Sequence, residues 1–181
     1  ILFGPVHIAF LEMIIDPVCT LVYEAESEEG DIMERPPRAP DAPLFSRYLI
    51  GWSIAQGAFV LMLIAGIYIV ALRLGMLEAE ARALVFFSTV LSTIGLVFVN
   101  RSFGASALAS IRRPNRALAR VLIAVGGMLA LTLAWPLASS MFRFGPLHLD
   151  DLTLAAGAGI VVLLALASVK RLLPHDGAHH G

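Results

Sequence analysis

Five apolar stretches separated by polar connectors organise the chain. They cover about residues 5–23, 48–74, 83–99, 117–137 and 152–169, each near the roughly 20 residues that a helix needs to cross a hydrocarbon core. None shows the period of two that a barrel strand requires, and unpaired backbone groups in lipid are too costly for anything but helices. The pattern predicts an all-α fold, a polytopic membrane helix bundle with five transmembrane helices forming one domain over 1–181. The second stretch is interrupted only by small or weakly polar residues such as Ser53 and Gln56. Gly57, Gly66, Gly126, Gly127, Gly157 and Gly159 are small enough for helices to approach closely there. No internal repeat is visible.

Composition agrees with the pattern. Hydrophobic residues make up 58% and charged residues 15%, well below the roughly 25% charged of a soluble domain. The net charge of −1 implies nothing about partners. Cys19, the single cysteine, excludes an internal disulfide framework and a thiolate metal cluster. The chain opens on Ile1, and no basic segment precedes the first apolar run, so that run does not read as a signal peptide. We expect a piece of a larger protein that begins just before a membrane helix.

The basic residues of the connectors set the orientation. Arg35, Arg38, Arg47, Arg101, Arg112, Arg113, Arg116, Arg120, Lys170 and Arg171 fall on one side, and only Arg73, Arg82 and Arg143 on the other. That division, ten against three, accounts for all 13 Lys and Arg. The chain should start outside, span five times and end in the cytoplasm, within the lipid bilayer of a bacterial plasma membrane. The Arg112–Arg120 group is then a cytoplasmic connector attracted to anionic lipid, and no nucleic-acid partner is expected.

Chemistry concentrates in the first span, in Leu11-Glu12-Met13-Ile14-Ile15-Asp16-Pro17. Glu12 and Asp16 are the only acids inside any apolar stretch, and a spacing of four puts them on one helix face. Two carboxylates so placed in low dielectric repel each other unless a cation lies between them or one holds a proton. Pro17 lacks an amide donor and crowds the Met13 carbonyl, so the helix should open locally. Freed carbonyl oxygens beside paired carboxylates make an oxygen-rich site for a hard cation. The competing use is acids reaching to an interface; mid-segment positions and short side chains weigh against it.

Here the chain resembles P-type cation-transporting ATPases, of the calcium and sodium–potassium pump type. The resemblance is carried by the Glu12–Asp16 helix, by Tyr23-Glu24, and above all by Asp31-Ile32-Met33-Glu34-Arg35-Pro36-Pro37-Arg38. Weaker matches follow. Ala81-Arg82 and Asn100-Arg101-Ser102 are similar to the eighth membrane helix and its exit. Arg113-Pro114-Asn115 is similar to the start of the ninth, and Pro146-Leu147 with Asp151-Leu152 to the start of the tenth. Lys170-Arg171 is similar to the tenth helix's basic end. The resemblance covers essentially the whole chain, as helices six to ten.

The resemblance implies that Asp16 is the family's shared ion-coordinating aspartate. Glu12 stands where calcium pumps usually have asparagine and sodium–potassium pumps aspartate. The cation set is then Glu12, Asp16 and the Met13 backbone carbonyl, with a weak contribution from Thr93. The eighth-helix acid of the muscle calcium pump is replaced by Ser92, Thr93, Ile94 and Gly95, and the run Ser88, Thr89, Ser92, Thr93 is expected mainly to hydrogen-bond between helices. The favoured cation is calcium, because two negative charges balance a divalent ion, with sodium, potassium or proton as the other choices. In the loop over 24–47, Asp31, Arg35 and Arg38 would couple the site to the phosphorylation domain along a path stiffened by prolines.

The same resemblance assigns the catalytic parts elsewhere. Helices one to five, the phosphorylation, nucleotide and actuator domains, and with them ATP and Mg2+, belong to the N-terminal remainder of the pump, so this piece alone should not hydrolyse ATP. The alternative class is a secondary cation or proton transporter, or a channel, not driven by ATP. Asp150 and Asp151 are expected to cap the last helix. His175, His179 and His180 read as a polar tail and not as a metal site.

Overall fold

The computed structural model describes residues 2–25, 47–101 and 115–172, apart from the side chains at 18, 19, 171 and 172. The described regular structure is helical throughout: α1 (Pro5–Glu24), α2 (Arg47–Arg73), α3 (Glu78–Asn100), α4 (Arg116–Ala134), α5 (Pro136–Phe142) and α6 (Leu149–Leu172). Five of these are long and apolar enough to cross a membrane, and α5 is not. Helix ends use local chemistry. Gly75, at φ 83°, closes α2, with the Met76 N–H donating to the Ala71 carbonyl and the Gly75 N–H to that of Leu72. This glycine-closed turn brings α3 straight back along α2. Asn115 caps α4, its side-chain oxygen accepting the Leu118 N–H at 2.9 Å.

The helices alternate in direction, and cross-links at their ends fix which ends meet. The Asn115 side chain at the start of α4 donates to the Val22 carbonyl near the end of α1, at 3.1 Å. The Lys170 amine of α6 donates to the Val99 carbonyl at the end of α3, at 2.8 Å. At the opposite end Arg82 donates to the carbonyls of Leu2 (2.9 Å) and Arg143 (3.0 Å). The connectors after α1 and after α3 therefore leave from the same end, as the count of basic residues requires. Those connectors themselves lie outside the described residues.

One helix is the hub. α3 packs on α6, α2 and α1, and α4 and α5 also pack on α1. Against α6 its backbone comes unusually near: a Cβ placed on Gly95 would stand 2.8 Å from the Gly159 carbonyl oxygen, and one on Gly159 would stand 2.8 Å from that of Leu91. Small residues let two helices in lipid gain van der Waals contact that larger ones would forbid. Only Gly159, of the six glycines expected to serve this purpose, does so here; Gly57, Gly66, Gly126, Gly127 and Gly157 meet nothing within 4 Å. The second member of the contact is Gly95. In a membrane segment every face is apolar, so sequence spacing does not single out the face that meets a neighbour.

Polar pairing ties α2 to the same hub. The side-chain amides of Gln56 and Asn100 donate to each other reciprocally, both at 3.0 Å, and Gln56 is buried. Replacing Gln56 with leucine should leave the Asn100 amide unpaired and lower stability by about 1–3 kcal/mol. Thermal unfolding of the full-length protein in detergent would measure this, and an unchanged midpoint would mean that the pair holds nothing.

The fourth stretch departs from its expected extent. It reads as apolar through residue 137, but α4 ends at Ala134. Trp135 is extended (φ −100°, ψ 114°) and Pro136 begins the separate helix α5. The residue before a proline is disfavoured in the helical region, and proline suits the first position of a new helix. The bend returns Phe142 to α1, where it packs edge-on to His7 and Phe10.

Candidate cation-binding face

α1 buries one side only. Ile14 is 2% exposed and Val22 fully covered, whereas Glu12 and Asp16 are both exposed. At about 100° per residue, each acid lies about 160° round the helix from Ile14, one to either side of the antipode. The two carboxylates thus share a face, as their spacing requires, and that face turns away from α3, α4 and α5. Glu12 and Asp16 sit twelve and eight residues short of Glu24 and fall near the middle of a 20-residue helix.

Pro17 perturbs this helix less than its chemistry predicts. α1 runs without a break from Pro5 to Glu24 with Pro17 inside it, so no turn is unwound. What remains is the one bond that proline cannot make: the Met13 carbonyl has no amide donor at position 17. The Thr20 hydroxyl donates to the Asp16 carbonyl at 2.7 Å, satisfying the polar side chain that follows on the same face. Beside the acids, Met13, Pro17 and Leu21 line a groove of about 270 Å³ against α4, with Arg120 the one charged residue on its wall.

Thr93 keeps its hydroxyl hydrogen within its own helix. Its hydroxyl donates to the Thr89 carbonyl at 3.0 Å, and that of Thr89 to the Val85 carbonyl at 2.8 Å. Ser88 and Ser92 are fully buried and their hydroxyls have no partner. Among the described residues none of the four donates to another helix, so the expected use between helices is not what the fold makes of them. Threonine in a helix readily bonds the carbonyl one turn back, while the small side chains of Ser88 and Ser92 admit close packing.

Among the described residues no three His, Cys, Asp or Glu side chains converge. Glu12 and Asp16 therefore form at most part of a ligand set. The same span does carry two softer donors, His7 and Cys19. The Cys19 side chain lies outside the described residues, and His7 is buried on the far side of α1 from the acids. His7 is a residue that reading for apolar runs misses. Its signal is its place three residues after Gly4, where a polar side chain can reach back to the helix start.

At the last helix the expected capping is carried by Asp151, whose carboxylate accepts the His148 N–H at 2.9 Å. Asp31, Arg35 and Arg38 of the coupling loop, and the histidine tail, lie outside the described residues. A family model described as "Cation transporting ATPase, C-terminus" matches residues 1–172. A search of curated proteins returns no match.

Proposed function

Because the chain belongs to the family of C-terminal membrane regions of P-type cation-transporting ATPases, we propose that it supplies one wall of the pump's cation site. Glu12 and Asp16 contribute the charge and the Met13 carbonyl a further oxygen. The observation that carries this reading is the direction of the acid pair. Two exposed carboxylates near the middle of an apolar span, opposite the buried Ile14 face, need a cation and a further protein surface to be tolerable in a membrane. Helices of the N-terminal remainder of the pump provide that surface and the missing ligands.

Calcium suits the site best, since two carboxylates neutralise a divalent ion and the oxygens tolerate its flexible coordination. Neither His7 nor Cys19 changes the preference for a hard cation. Position removes His7, and a single thiol falls short of the thiolate set that soft metals favour. The test is cation uptake into sealed vesicles by the full-length pump. Uptake should require ATP and be lost when Glu12 and Asp16 are both made amides. Uptake driven by a gradient without ATP would instead identify a secondary transporter.

The loop that follows α1 couples this site to phosphorylation, a role supported by its charged, proline-rich sequence directly after the ion-site helix. Alanine at Asp31, Arg35 and Arg38 should lower the turnover of the full-length pump several-fold while leaving apparent cation affinity within about twofold, as expected when a transition and not a binding contact is weakened. Steady-state ATP hydrolysis against cation concentration separates the two quantities. Unchanged turnover would reduce the segment to a linker.

A further inference from the structure

On the face of α1 opposite the acids sits a titratable group that cation binding does not use. His7 is 4% exposed. Its Nδ1 accepts the backbone N–H of Gly4 at 3.2 Å, the part a glutamate or glutamine plays at the third position of a capped helix. A nitrogen that accepts carries no proton, so the ring hydrogen is on Nε2. That nitrogen faces the backbone of Phe142 without reaching a hydrogen-bond partner. Four rings enclose the imidazole: Phe3 stacked at 5.5 Å between centroids, and Phe86, Phe142 and Phe144 edge-on at 5.4 to 5.8 Å.

The charged groups around this cage are mostly basic. Arg82 of α3 faces His7 and holds the Leu2 and Arg143 carbonyls. Arg143 follows α5, at φ 50°. Of the two carboxylates in the first turn of α3, Glu78 and Glu80, Glu80 accepts the Leu77 N–H at 3.4 Å in its own helix cap. A second positive charge on His7 would therefore meet Arg82, the one charged side chain acting on His7 among the described residues. The imidazolium would also present N–H donors from both nitrogens, setting a donor against the Gly4 N–H and removing that hydrogen bond.

His7 and Ile14 are seven residues apart and so share the buried face, with Glu12 and Asp16 on the reverse. The cage thus fixes the rotation of α1 about its axis, and that rotation decides where the carboxylates point. We propose that His7 is a positioning residue for the cation site: neutral, it locks α1 in the setting that presents Glu12 and Asp16, and a proton on Nδ1 loosens that lock. The proposal rests on the reading that this acid pair binds the cation. Cation binding then weakens when the compartment at the Gly4 end of α1 turns acid.

The experiment is cation-dependent phosphorylation by ATP of the full-length pump in sealed vesicles. The pH at the Gly4 end is taken from about 8 to about 5.5, a range that spans ordinary histidine titration. Wild type should lose roughly tenfold in apparent cation affinity, an effect of the size of one pKa unit. His7→Gln keeps a neutral acceptor for Gly4, so it should match wild type at the alkaline end and lose most of the acid-side fall. His7→Phe fills the cage without an acceptor and should bind more weakly at both ends. A His7→Gln pump whose affinity tracks wild type across the whole range would overturn the proposal, as would full alkaline affinity in His7→Phe. Any slope from Glu12 and Asp16 themselves is common to all three proteins. Should His7→Phe fail to fold, the comparison of wild type with His7→Gln decides alone. If Asp16→Asn leaves cation dependence intact, the site reading has failed, whatever His7 does.

Discussion

Asparagine at Asp16 should abolish cation-dependent phosphorylation of the full-length pump. Asparagine keeps the shape and one oxygen but removes a full negative charge. In a water-poor site a cation held by two carboxylates would lose half its counter-charge, and the loss of one partner of a buried charge pair is worth about 3–5 kcal/mol. Affinity should therefore fall by at least roughly 100-fold. Because Asp16 is exposed in this chain, the substitution should leave folding unchanged, which a thermal melt in detergent would verify. Glu12→Gln is the informative companion: an effect as large as that at Asp16 means that Glu12 is ionised when the cation is bound, and a much smaller effect means that it holds a proton. Wild-type affinity and transport in Asp16→Asn would remove α1 from the cation site.

The second large effect is expected at the seam between α3 and α6. Gly159→Val would press a branched side chain against the Leu91 carbonyl, where even a bare Cβ would stand 2.8 Å from the oxygen and 3.0 Å from the carbon behind it. Backbone cannot swing aside as a side chain does, so the helices must separate, and forced overpacking costs about 1–3 kcal/mol or more. Separation would also strip the packing around Ser88 and Ser92 and weaken the Lys170 bond to Val99. The yield of folded protein extracted in mild detergent should drop severalfold, while Gly157→Val, which meets nothing within 4 Å, should not alter it. Equal yields for the two variants would contradict the close approach at Gly159.

Much of this architecture can be read from the residues alone, and the parts that cannot share one physical cause. Long apolar runs announce spans because lipid enforces helices of a given length. The acid pair stands out because charge inside such a run is rare. Rotation of a helix is different. In water the buried face is the apolar face, but in lipid Ile14 and Ile54 are equally apolar while one is buried and the other 67% exposed. That is why Gly159 could not be told from Gly157, nor the true helix contact at Gly95 recognised. The break before Pro136 was legible in principle, since proline disfavours a helical conformation in the residue before it. Its pull was hidden by the unbroken apolar run on either side. The hydroxyls of Thr89 and Thr93 differ for another reason: each satisfies its hydrogen on its own helix, and no pattern of neighbours reveals that choice.

The one-sided burial of α1 has a consequence for how the protein is made. A segment leaving the ribosome partitions into the bilayer according to its own transfer energy, and an aspartate near the centre opposes that step by about 3 kcal/mol. α1 carries such an aspartate and a glutamate beside it, and its own neighbours do nothing to shield either one. Its entry into lipid is then a collective event. On the proposed reading, earlier helices of the pump would cover the acid face as α1 enters, which makes membrane integration of α1 a step of assembly.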